Sequence, residues 1–161
     1  MIAFYEFFVR FLPDMLKGAG ITVLLTAEGL SAGFILGLLA SLARVYGNKF
    51  IRGLAVGYIE LFRGTPLLMQ LFIIYYGLPG LGITFSREWC AFLALGLNSG
   101  AYQAEYLRGS LLAIGDGQMM AGRSIGMSRA KTIWHIILPQ ALRLAIPAWS
   151  NKPVSLLKYT A

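Results

Sequence analysis

The sequence predicts an all-α integral membrane protein, a bundle of apolar helices. Three observations carry that prediction. Hydrophobic residues make up 57% of the chain and charged ones only 13%, against about a quarter charged in ordinary soluble domains. The mean hydropathy is +0.66, and a soluble domain of this size cannot hide so much apolar surface. The apolar residues also fall in long runs divided by short charged stretches, as spans and connectors do. The regular alternation that a membrane barrel needs is missing from the sequence.

Taken in order, Met1–Lys17 places Phe4, Phe7, Phe8, Phe11 and Leu12 at helical spacing, with Glu6, Arg10 and Asp14 elsewhere. That pattern suits a helix at the membrane interface or one packed within an assembly. Its start lacks the positive charge of a cleavable signal. A transmembrane domain is then expected over 18–161. Its first span, about 19–43, carries one charge, Glu28. Gly29, Gly33 and Gly37 share one face of it, which lets another helix approach closely.

Arg44–Arg52 is a basic connector holding Arg44, Lys49 and Arg52. The second span, about 60–83, is entered through a polar turn at Glu60 and Arg63, with Pro66 near its start and Pro79 near its end. Glu60 and Arg63 have the spacing of a local ion pair, as do Glu105 and Arg108. Ser86-Arg87-Glu88 is a short polar break. The third span, about 89–107, has Trp89 at one end and Tyr102 and Tyr106 at the other, as interfacial belts do. A polar segment follows at 109–140, then a fourth span at about 142–160.

The formal net charge is +7, but the basic residues gather in two connectors rather than one patch. That suits membrane topology and not nucleic acid. The positive-inside rule puts 44–52 and 109–140 in the cytoplasm and the N-terminus outside. Catalysis is not assigned to this chain. It has no P-loop, no H-E-x-x-H, and one cysteine and one histidine, Cys90 and His135. Cys90 reads as a buried apolar residue.

The segment 109–140 reads as helix, glycine turn, helix. Gly117–Ile125 forms one piece, Gly126 breaks it, and Ser128 caps the next, which runs to Leu138. Pro139 ends that helix or begins another. Such a pair either projects into a partner's groove or is an ordinary solvated loop.

Ala121-Gly122-Arg123-Ser124-Ile125-Gly126-Met127-Ser128, followed by Ile136-Ile137-Leu138-Pro139-Gln140-Ala141-Leu142-Arg143, resembles the EAA loop of ABC importer permeases. Three further stretches, Glu60–Leu68, Gly100–Gly109 and Asn151 with Lys158-Tyr159-Thr160, resemble the polar amino acid branch of that family, in the family's order. The resemblance implies a type I ABC importer permease in a prokaryotic inner membrane, crossing it several times. It implies a coupling loop at Met120, Ala121, Gly122, Arg123, Gly126, Met127 and Ser128 that docks on a separate ATPase. Ala121, Gly122 and Gly126 would be its tight contact and turn positions.

The implied partners are a second permease chain, two cytoplasmic ABC ATPase subunits and an extracytoplasmic amino-acid-binding protein, all in a lipid bilayer. No cofactor is expected on this chain, and ATP with magnesium is expected on the partner ATPase. The chain departs from the family pattern at Met120, where glutamate is usual, and at Asp116, where proline is common. The family continues past Lys-x-Thr with a fifth helix, whereas this chain ends at Ala161, so the bundle is expected without its last helix. A non-transporting membrane fragment that keeps the docking loop is the alternative.

Ionisable and polar groups within spans are costly in lipid, so Glu28, Gln70, Asn98 and Gln103 are the candidate substrate path. Two readings fit Glu28. It binds the ammonium or cationic group of an amino acid, or it sits near the interface and pairs structurally. For Gln70, Asn98 and Gln103 the other reading is interhelical hydrogen bonding.

Overall fold

The computed structural model describes the backbone of residues 2–160 and the side chains of residues 11–150 and 153–160. Among them there are helices and turns and no strand. The first helix, α1, runs without interruption over Ile2–Tyr46. The expected interfacial helix over 1–17 and the span expected from 19 are thus joined in one helix, with no break between them. Gly18 and Gly20 keep helical backbones, and in an apolar medium a helix satisfies its peptide groups only by continuing. The side chains of Phe4, Phe7 and Phe8 lie outside the described residues.

The basic connector is mostly helix. Asn48 caps α2, Lys49–Gly64, by accepting from the Ile51 amide at 2.9 Å. The expected second span is broken near its start. Thr65 is extended, as the residue before Pro66 must be. The chain then turns into α3, Leu67–Phe72, which continues through a π turn (Ile73–Gly77) and a 3-10 turn (Leu78–Leu81). The two halves meet at 104°. Glu60 and Arg63 thus belong to α2 and not to a polar entrance.

Helix α4, Arg87–Ala113, starts from the Ser86 cap and runs a turn further than expected, taking in Gly109. Beyond it lie α5, Gly117–Ser124, and α6, Arg129–Thr132, which passes through a π turn (Ile133–Ile137) into α7, Leu138–Trp149. Pro139 follows directly on that π turn, at the start of α7. The fourth expected span is interrupted at Ser150, after which α8 covers Asn151–Thr160.

The main packing is α1 on α4. A Cβ built on Gly29 would lie 2.8 Å from Leu95 Cβ, on Gly33 2.7 Å from Ser99 Cβ, and on Gly37 2.9 Å from Gln103 Cβ. The contacts ascend together along both helices, so α1 and α4 run parallel, with the glycine face against α4. A second small core of Leu111, Ile133, Ile137 and Ala141 packs under Leu42, Val45 and Tyr46. It ties the α5–α7 region to the ends of α1 and α4.

The outer surface is apolar, with Ile21, Leu24, Ile35, Leu39, Leu61, Leu68 and Phe72 exposed. The chain presents 10530 Å², against about 7,900 Å² for a compact soluble monomer of its mass. Of the described helices, Phe11–Tyr46 alone is long and apolar enough to cross a membrane. The bent pair α2–α3 passes that test if counted as one span.

Candidate functional site

Breaking a helix at Pro66 frees carbonyls that need donors. Gln70 supplies them. Its side-chain nitrogen lies 2.9 Å from Phe62 O, 3.0 Å from Thr65 O and 2.8 Å from Thr65 Oγ1. Asn98 on α4 reaches the same Phe62 O at 3.2 Å and Gln70 Oε1 at 3.4 Å. The two amides therefore weld the kink to α4. Gln103, also buried, donates to Leu30 O (3.2 Å) and Ser99 Oγ (2.8 Å) and accepts from Trp149 Nε1 (2.6 Å). It joins α1, α4 and α7. Interhelical hydrogen bonding is thus what the structure gives all three.

Glu28 is exposed and stands apart from them, in a cavity of about 350 Å³ with Glu88, Trp89 and Phe92. A hydrogen bond from its own backbone N–H, then the Ser86 hydroxyl, holds the Glu88 carboxyl below the usual carboxylate range.

The kink opens a larger cavity, about 550 Å³, against α4 and α8. Its polar lining is Arg63, Thr65, Asn98, Tyr102, Ser155 and the tyrosines Tyr106 and Tyr159. Of the four candidate path residues, Asn98 alone lines it. Sequence reasoning missed Arg63, read as Glu60's partner, and Tyr102 and Tyr106, read as belt residues. The available signal was Arg63 beside Gly64-Thr65-Pro66, a charge at a helix break.

Glu60 instead lies 4.0 Å from Arg44, and Arg63 turns to Glu105. The Glu105 carboxylate gathers three guanidiniums: Arg44 on α1, Arg63 on α2 and Arg108 on α4. The Glu105–Arg108 pair forms as its spacing predicts.

The second region is the α5 turn. Gly126 has φ +84°, the left-handed backbone that glycine adopts without strain. The Met127 amide donates to Gly122 O at 3.1 Å and the Gly126 amide to Arg123 O at 3.0 Å, a Schellman closure of α5. Ser128 then caps α6 by accepting from the Lys131 amide at 3.3 Å. Gly122 is buried, with Thr132 Cγ2 only 2.6 Å from where a Cβ would stand. Its close contact is therefore inside the chain and not on a partner-facing surface, because the turn folds α5 back on α6. Met120, 64% exposed, and Ile125, 76% exposed, face outward. Ala121, Arg123 and Ser128 are exposed and Met127 is half-buried. Arg129 lies over the Tyr46 ring, 5.7 Å from its centre, and holds the turn to α1.

Residues 33–161 match the protein family described as binding-protein-dependent transport system inner membrane component. The chain is 42% identical, over 94% of its length, to the L-cystine transport system permease protein TcyB of Bacillus subtilis (strain 168). It is 37% identical, over 93%, to the glutamine transport system permease protein GlnP of Escherichia coli (strain K12). It spans 64% of the length of TcyB and 69% of GlnP. The crystal structure of an amino acid ABC transporter with histidines matches at a TM-score of 0.83, with 37% identity over 94% of this chain and 71% of that one.

Proposed function

The chain belongs to the binding-protein-dependent transport system inner membrane component family, and from that membership we propose that it serves as a multi-pass permease subunit of an ATP-driven importer for polar amino acids. It pairs with a second permease chain. It docks on two cytoplasmic ABC ATPases, which hold the ATP and magnesium, and receives substrate from an extracytoplasmic binding protein. No bond chemistry occurs on the permease itself.

The observation that carries this reading is the α5 turn. Met120 and Ile125 stand out from a short helix whose other side is locked to Thr132. An exposed apolar pair on a rigid mount suits insertion into a partner's groove. Movement of the ATPases would reach the bundle through α5, Thr132 and the continuous α6–α7 segment, which ends at the Trp149–Gln103 hydrogen bond. The path for substrate is then the cavity at the Pro66 kink, walled by Arg63, Asn98 and Tyr102, with Glu28, Gln70 and Gln103 outside its lining.

The test is co-purification. The tagged chain, extracted in mild detergent, is expected to bring down an ABC ATPase. Ile125→Asp with Met120→Asp is expected to lose it while keeping the gel-filtration profile. Equal recovery by the double variant would refute the docking assignment.

A further inference from the structure

We propose that Arg63 is the group that recognises the substrate's carboxylate in the kink cavity, and that Glu105 is its positioning residue. This rests on the importer reading above. The case begins with charge. Glu105, with its side chain 15% exposed, faces three guanidiniums. Arg108 takes both oxygens, with Nε at 3.1 and 3.2 Å and Nη2 at 2.9 Å. Arg44 hydrogen-bonds to Oε1. Arg63 is left at 3.6 Å from Oε2, near enough to be held by charge but beyond hydrogen-bond reach.

Among the described residues Arg63 donates no hydrogen bond, and its side chain is 37% exposed. One carboxylate cannot neutralise three guanidiniums, and Glu60 sits at 4.0 Å from Arg44 and not beside Arg63. A surplus of positive charge therefore remains at Arg63. The guanidinium is not loose, because it lies over the Tyr102 ring, 5.4 Å from its centre.

Among the described residues, Arg63 is also the one charged residue lining the 550 Å³ cavity. The rest of the polar lining is hydroxyl and amide, with Thr65 and Ser155 among them. That volume falls in the range of small-molecule sites. A fixed guanidinium with spare donors in a partly enclosed site is the geometry that selects a carboxylate. The α-carboxylate is the group every free amino acid shares, so this contact sets the class of substrate. Its side chain is left to the remainder of the wall.

Radiolabelled L-glutamine and L-cystine, each against its α-amide, are the probes. Binding is measured on the assembled transporter that carries this chain, without binding protein. Wild type is expected to prefer the acids over the amides. Arg63→Gln should weaken the acids by about 10- to 100-fold and leave the amides unchanged, as loss of one charge-assisted bond predicts. Arg63→Lys, which keeps the charge, should fall between and decides the matter if the glutamine variant fails to fold. Glu105→Gln should weaken the acids by about 3- to 10-fold with the amides unaffected, whereas a merely structural role would weaken both. An unchanged acid preference in Arg63→Gln or Arg63→Lys overturns the inference alone. A wild type that binds neither amino acid overturns the importer reading and this inference with it.

Discussion

Replacing Gly122 by alanine probes the mount on which the exposed turn stands. The new methyl would sit 2.6 Å from Thr132 Cγ2, 2.7 Å from Oγ1 and 3.2 Å from Cβ, where carbon contacts settle at about 3.5–4.0 Å. Thr132 cannot turn aside freely, because it is fully buried and its hydroxyl donates to Ser128 O at 3.1 Å. Overpacking of this kind costs about 1–3 kcal/mol. Alanine recovers about 0.5–1 kcal/mol of helix propensity, so the net destabilisation of the α5–α6 turn should be about 1–2 kcal/mol, an order of ten in its opening equilibrium. Hydrogen exchange reads this directly at the Gly126 and Met127 amides, whose acceptors are Arg123 O and Gly122 O. Exchange there should accelerate about 5- to 30-fold, with the α1 amides near Gly33 unchanged. Thr132→Ala removes both closest atoms at the cost of one hydrogen bond, about 1 kcal/mol. Added to Gly122→Ala it should bring exchange back to within about threefold of Thr132→Ala alone. Unchanged exchange in Gly122→Ala, or a double variant as fast as the two effects summed, would refute the packing argument.

Gly33→Ala drives a methyl to within 2.7 Å of Ser99 Cβ and Oγ and 2.9 Å of Gln103 Nε2. It should lower the midpoint of thermal unfolding in detergent by an amount equivalent to about 1–3 kcal/mol, while the same change at Gly53, with open space around it, should not. Trp149→Phe leaves Gln103 Oε1 without its 2.6 Å donor in a buried place, and denaturant titration should show a loss of about 1–2 kcal/mol. At Gly126 the space is open and only the backbone objects. Gly126→Val should cost about 1–2 kcal/mol and Gly126→Asn clearly less, because asparagine tolerates the left-handed region. Equal effects of the two in a melting assay would show that the turn is not what holds the position.

Local rules were enough for much of this chain. The apolar runs set the helices, since helical period and length are properties of a segment. The Gly29–Gly33–Gly37 face, the Gly126 turn and the Ser128 cap were legible because each rests on residues within one or two turns of chain. The string Ala121–Ser128 that resembles the EAA loop stood out for the same reason, because it is contiguous.

Only the tertiary structure decided which partner each polar side chain took. Arg63 and Glu60 are three apart, yet Arg63 faces Glu105 and Glu60 faces Arg44, because α1, α2 and α4 converge there and spacing on one helix says nothing of the next. Gln70 and Asn98 look alike in the sequence, yet both bond the Phe62 carbonyl freed by the Pro66 break, and of the two only Asn98 also lines the cavity there. Gly122 looks like a partner contact until the turn folds it onto Thr132. A hydrogen bond or an ion pair is satisfied by whatever group lies within a few ångströms, and distance in space is set by packing, which the order of residues along the chain does not disclose.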